Sequence, residues 1–159
     1  MNQFIHVSFE QLKGIHPSLK EQISQLYGLM YNANINDISF NSLSRLLEVF
    51  PIAVVKKGTS ENDYFVVSGF RQFELLSACH AASKLDSSFD IDQLNMFKVI
   101  LKKKQKKEEL LQFALDDIAG GALLFSLGTK VSAQLEIIKS YLKPSILDDY
   151  PKYKQKRNV

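Results

Sequence analysis

The sequence predicts an α+β fold, in which a small mixed β-sheet with flanking helices is followed by a helical C-terminal extension. Short runs of β-branched and aromatic residues are concentrated in the first two thirds of the 159 residues. The last third instead has apolar residues at helical spacing. Strands early in the chain and helices late in the chain are typical of the α+β class.

The composition is that of one folded domain. With 45% hydrophobic and 23% charged residues, a chain of 159 residues buries one core. No apolar run approaches the roughly 20 residues that span a membrane, and the N-terminal residues do not resemble a secretory signal. We therefore expect a cytoplasmic protein without membrane contacts. Its single cysteine, Cys79, excludes a disulfide framework.

The first elements follow from hydrophobic spacing. Residues 4–9 alternate and predict a strand. A capping box predicts a helix that starts at Ser18 and ends near Asn32 or Asn34. A second helix is predicted over residues 39–50, because its apolar residues lie on one face and a proline follows.

A predicted hairpin forms the centre of the sheet. Residues 52–57 and 64–68 are apolar runs joined by a polar loop. A helix from Phe70 to Lys84, a loop and a strand at 96–102 follow. We expect three regions: a sheet domain at 1–106, a helical extension packed on it at 107–147, and a basic, flexible tail at 148–159.

The net charge of +3 is unevenly distributed. Residues 98–107 carry six lysines and no acid, and residues 150–159 carry four basic residues and no acid. The rest of the chain contains ten basic and 17 acidic residues, so its net charge is −7. Such patches favour polyanions, although most lysine runs are only solvated. The candidate nucleic-acid contacts are Lys102, Lys103, Lys104, Lys106, Lys107, Lys152, Lys154, Lys156 and Arg157.

The stretch DYFVVSGFRQFELLSA, residues 63–78, runs from a strand through Ser68 and Gly69 into a helix. Backbone N–H groups at such a turn bind anions. Arg71 in the first helical turn opposes the helix dipole unless a negative group meets it, and a phosphate would do so. The alternative is that Ser68 only caps the helix and Arg71 pairs with Glu74.

The order of elements over residues 4–101 resembles the core of the ParB/sulfiredoxin superfamily. ParB-type domains carry a GERR signature at the start of the helix, and Gly69 and Arg71 match its glycine and first arginine. Phe70 and Gln72 replace the glutamate and the second arginine, so the signature is degenerate. The resemblance implies a phosphate or nucleotide site, for a ligand such as CTP, formed by Ser68, Gly69, Arg71 and Gln72.

Catalysis is not expected. The sulfiredoxin branch has a reactive cysteine where this chain has Phe70, and Cys79 lies about 15 Å further along the helix. The three histidines have no metal-ligand spacing, and no catalytic or metal-binding residues are predicted.

The sequence therefore predicts a non-catalytic, ParB-like protein that associates with nucleic acid. The alternative is a protein-interaction or oligomerisation module, in which the C-terminal helices contact a second copy or a protein partner. An active CTPase or nuclease is favoured least, because the signature is incomplete.

Overall fold

The computed structural model describes residues 3–25, 36, 38–85 and 95–120. Within these ranges, one mixed sheet has the strand order β1-β5-β3-β4-β2. The pairs β1–β5 and β3–β4 are antiparallel, whereas β3–β5 and β2–β4 are parallel. The strands are β1 Gln3–Val7, β2 Leu12–Ile15, β3 Ile52–Lys56, β4 Tyr64–Ser68 and β5 Phe97–Leu101.

Helices flank this sheet, which confirms the predicted fold class. α2 contacts β5, α3 contacts β3 and β4, and α4 contacts β4 and the turn before α1. A π-helical turn, Asp116–Gly120, continues α4, and two 3-10 turns lie at Phe9–Gln11 and Pro17–Leu19. The helices are α1 Lys20–Gln25, α2 Phe40–Val49, α3 Phe70–Leu85 and α4 Lys107–Leu115.

The core is centred on β3, where Ile52, Ala53, Val54 and Val55 are all buried. Four consecutive buried residues mean that both faces of the strand are covered, since side chains alternate between faces. Phe70, at the start of α3, is 1% exposed and is the largest of the fully buried side chains.

The central predictions are confirmed with small shifts at the ends. β3, β4, α3 and β5 lie where the hairpin, the long helix and the last strand are predicted. α2 begins after Ser39, whose Oγ accepts a hydrogen bond from the Ser42 N–H at 3.2 Å. This side-chain cap explains why the helix starts where its apolar spacing begins.

The first 25 residues differ from the prediction. The strand predicted at residues 4–9 ends at Val7, and the chain turns into β2. The sequence does not predict β2, because its four residues, LKGI, are too few and too mixed to form a pattern. α1 begins at Lys20 rather than Ser18, since a 3-10 turn precedes it and His16 caps that turn.

Some predicted elements lie outside the described residues. They are the end of the first helix after Gln25, the loop at 86–94, the helices that follow Gly120, and the tail at 148–159. None of the helices in the described ranges has the length and apolar character needed to cross a membrane.

Candidate functional site

The turn between β4 and α3 requires a glycine. Gly69 is buried with a φ of +79°, a conformation that L side chains rarely adopt. A Cβ at this position would lie 2.9 Å from the Cα of Ile52, the first residue of β3. The turn therefore packs so closely on the backbone of β3 that any side chain would overlap it.

The Gly69 N–H already has an anionic partner. It donates a hydrogen bond of 2.8 Å to Oδ2 of Asp117, a residue 48 positions along the chain. Asp117 is half-buried in the π-helical turn that continues α4. A carboxylate oxygen accepts from a backbone amide as a phosphate oxygen does. The amide for which the sequence predicts a phosphate contact is thus bound by a carboxylate of the chain itself.

The other predicted phosphate-site residues lie around this turn. Ser68 ends β4, and Arg71 and Gln72 are half-buried in the first turn of α3. Gln72 Nε2 donates to the Phe50 carbonyl oxygen at 3.3 Å, which ties α3 to the end of α2. The assignment of a phosphate to these residues stays a prediction.

Phe70 is a core residue. Its ring is 1% exposed, at the position where the family resemblance implies a glutamate. A carboxylate buried there would need to be paired or neutralised, at a cost of several kcal/mol otherwise. The chain therefore uses this position for packing.

Replacing Asp117 with alanine is expected to destabilise the protein by about 1–3 kcal/mol, because the buried Gly69 N–H loses its acceptor. Asp117→Asn keeps an acceptor oxygen and should lose less. The measurement is the free energy of unfolding from urea titrations.

The adjacent acid is the matched control for that experiment. Asp116 is exposed, and its Oδ1 accepts from the exposed Gln112 Nε2 at 2.9 Å. Asp116→Ala should therefore change stability by no more than about 0.5 kcal/mol. Equal losses in the two alanine variants would contradict a specific role for the contact with Gly69.

The lysine run forms one wall of a cleft at the opposite end of β3 from the Gly69 turn. The cleft has a volume of about 700 Å³ and lies beside Val55 and Lys56, the last two residues of β3. Gly69 instead contacts Ile52, the first residue of β3. Four residues of strand correspond to about 13 Å. The two candidate sites are therefore separate.

The cleft combines positive charge with an apolar floor. Val55, Phe65, Leu101 and Leu110 contribute apolar surface, and no acidic residue is among the described residues that line it. A concave surface of one charge sign concentrates its field and attracts ligands of opposite sign. Five lysines line the cleft: Lys56, Lys102, Lys103, Lys104 and Lys107.

The lysines differ in how freely they can reach a ligand. Lys103, Lys104, Lys106 and Lys107 are exposed, although Lys106 is not part of the cleft lining. The ammonium group of Lys102 lies 4.3 Å from the centre of the Phe113 ring, a cation–π contact that restrains it. The tail residues Lys152, Lys154, Lys156 and Arg157 lie outside the described residues.

Helix α4 links the two sites. Its first turn is closed by Glu109, whose Oε2 accepts from the Lys106 N–H at 3.0 Å. Lys107, the first residue of α4, lines the cleft, and Asp117, beyond its end, binds Gly69. Ten residues of helix span about 15 Å, which is close to the length of about 13 Å that separates the two ends of β3.

His16 is one of the residues that line the cleft. Its Nδ1 accepts from the Ser18 N–H at 3.2 Å, and its ring meets Phe65 edge-on with centroids 5.5 Å apart. Burial lowers the pKa of His16 below its ordinary value. A proton on Nδ1 would also remove the cap of the Pro17–Leu19 turn.

Stability should consequently fall as the pH drops below about 6.5, the ordinary pKa of histidine. The unfolded chain takes up the His16 proton first, because the pKa is lower in the folded state, and this favours unfolding. In His16→Asn, which retains a capping side chain, the loss between pH 7 and pH 5 should be smaller. Urea titrations at each pH measure it, and parallel curves for the two proteins would contradict the role of His16.

Cys79 is not a nucleophile in this fold. It is 3% exposed in α3, and burial raises the pKa of its thiol. A thiol that is buried and protonated is unreactive. Among the described residues, no group of three or more His, Cys, Asp or Glu side chains is arranged to hold a metal ion.

Sequence reasoning missed three residues of these sites. Lys56 joins the cleft because parallel pairing of β3 with β5 brings the two strand ends together. His16 enters it through the 3-10 turn, for which the His-Pro pair was the available signal. Asp117 reaches Gly69 through a long-range contact for which the local sequence carries no signal.

No protein-family model matches the chain, and a search of curated protein sequences finds no match. Among solved structures, the chain is similar to the C-terminally truncated chromosome-partitioning protein ParB from Caulobacter crescentus in complex with CTP-gamma-S. The TM-score is 0.50 at 11% sequence identity, over 91% of this chain. The chain spans 65% of the length of that ParB chain. Its fold is therefore ParB-like.

Proposed function

We propose that the protein is a non-catalytic, nucleic-acid-associated protein that binds phosphate backbones through the lysine-lined cleft. The observation that carries this proposal is the convergence of five lysines on one concave surface, with no acidic residue among its described lining. Lysine ammonium groups neutralise phosphates and release the counterions bound to nucleic acid. The basic residues of the tail, Lys152, Lys154, Lys156 and Arg157, are proposed to extend this surface.

The test is a titration of a mixed-sequence DNA duplex with the full chain at several salt concentrations, followed by fluorescence anisotropy. With about four phosphates neutralised, log K should fall with log salt at a slope near −4, or about two orders of magnitude between 50 and 200 mM salt. No binding at 50 mM salt, or binding that is independent of salt, would contradict the proposal.

A nucleotide site at the Gly69 turn is the second part of the proposal. It is supported by the fold, since the similar ParB chain was solved with CTP-gamma-S. It requires Asp117 to release the Gly69 N–H, which its carboxylate occupies. Calorimetric titrations with CTP, ATP and GTP, with and without Mg²⁺, test it. A saturable component of binding that is lost in Arg71→Ala is expected for this site. Titration curves that Arg71→Ala leaves unchanged for every nucleotide would leave the turn as a structural contact.

A protein-interaction or oligomerisation module is the second candidate function. It is favoured by exposed apolar side chains: Val49 and Met96 are 67% and 55% exposed beside a second cleft of about 530 Å³. Most of the predicted interface at 107–147 lies outside the described residues. Sedimentation at several protein concentrations tests this candidate, which requires a stable homodimer or larger assembly and no DNA binding at physiological salt.

A further inference from the structure

We propose that the lysine-lined cleft takes a nucleoside phosphate, with the phosphate on the lysines and the base on the apolar floor. The inference rests on the proposed function in one respect, that these lysines meet phosphates. The inference goes beyond the proposed function because it assigns the base as a second recognised group. It also places the ligand at a location that is separate from the Gly69 turn.

The size of the cleft favours a small ligand over a duplex. Its volume of about 700 Å³ is within the range of pockets that enclose small molecules and cofactors. A duplex would lie across the mouth and touch only the outer lysines. A free nucleotide, or one unpaired nucleotide of a single strand, can instead enter.

The apolar part of the cleft lining offers contacts that a bare phosphate does not use. Phosphates gain nothing from the half-buried side chains of Phe65 and Leu101, which line the cleft together with the lysines. A base gains from such a floor by stacking and by leaving water.

Gln105 supplies an unsatisfied polar atom at the same place. It lines the cleft, and its buried Oε1 has no hydrogen-bond partner among the described residues. A buried acceptor without a donor is unusual in a folded protein. The exocyclic amine of a base is a donor of the required kind, and the Gln105 amide could turn to meet it.

The experiment compares four probes with the full chain by calorimetry: ATP, CTP, a single-stranded oligonucleotide and inorganic triphosphate. A nucleoside triphosphate should bind about tenfold more tightly than inorganic triphosphate, because only the former has a base to stack. Gln105→Ala should reduce that ratio and leave triphosphate binding unchanged. Lys104→Gln should weaken all probes. Binding of the oligonucleotide without the mononucleotides assigns the unpaired strand as the ligand, and the reverse assigns the free nucleotide.

Three outcomes overturn the inference. Equal affinities for inorganic and nucleoside triphosphate would mean that the cleft recognises the charge of the ligand and not its base. The proposed function would then still stand if duplex DNA binds. Nucleotide binding that is lost in Arg71→Ala but retained in Gln105→Ala and Lys104→Gln moves the ligand to the Gly69 turn. The absence of binding by every probe and by duplex DNA refutes both the inference and the proposed function.

Discussion

Replacing Gly69 with alanine is expected to destabilise the protein by about 3 kcal/mol. A non-glycine residue at positive φ costs about 1–2 kcal/mol, and the new Cβ would lie 2.9 Å from the Cα of Ile52. That neighbour is backbone in a buried strand, so it cannot rotate away as a flexible side chain would. Relieving the overlap must shift the start of β3 or of α3, and shifts of a packed core cost a further 1–3 kcal/mol or so.

The measurement is the free energy of unfolding, with the midpoint of thermal unfolding expected to fall by about 6–12 °C. Gly14→Ala is the matched control. Gly14 also has a positive φ, +93°, but a Cβ there would meet no atom within 4 Å. It should therefore show only the backbone part of the loss. Equal losses at the two positions would mean that the contact with Ile52 contributes nothing.

The parts of the fold that the sequence predicts are those whose signals are local. β3, β4 and α3 have apolar runs or spacing that are complete within each element. The four-residue β2 has no such pattern, because it owes its conformation to pairing with β4. A strand that is defined by its neighbour, rather than by its own residues, cannot be recognised from single-sequence spacing.

The same distinction applies to the two candidate sites. The sequence predicts an anion at the Gly69 turn, since a strand, a glycine and a helix imply free amides. It does not predict that Asp117 supplies the negative oxygen, because the contact spans 48 residues and depends on the path of α4. Likewise, the lysine run is visible in the sequence, whereas its union with Lys56 and His16 in one cleft follows from the pairing of β3 with β5.

Two lysines at the start of α4 conflict with the helix dipole. Lys106 and Lys107 stand at the start of α4, where the helix dipole disfavours positive charge. Local conflicts of this kind are expected at functional sites. The acidic Glu108 and Glu109 in the same turn offset the conflict, and Glu109 also caps the helix. The arrangement keeps Lys107 at the cleft while α4 remains stable.

Replacing Lys103, Lys104 and Lys107 together with glutamine is expected to weaken DNA binding on the order of 100-fold at 0.1 M salt. All three are exposed and line the cleft. Each phosphate contact that is lost should lower the magnitude of the salt slope by about one, so the slope should fall by about three. Lys102 is left in place, because its contact with Phe113 gives it a packing role.

The matched control removes the same charge elsewhere. Lys13, Lys20 and Lys84 are exposed and do not line the cleft, and their joint replacement with glutamine also lowers the net charge by three. Lys13 makes a surface ion pair with Asp63 at 3.4 Å, which contributes about 1 kcal/mol at most. If the cleft carries binding, this variant should lose no more than about threefold in affinity, since only the long-range field changes. Equal losses in the two triple variants would mean that DNA binding depends on net charge, and would contradict the role assigned to the cleft.

The cleft variant should stay folded, because replacing Lys107 removes a charge that opposes the α4 dipole. A loss of affinity without a loss of stability therefore reports on the contact itself.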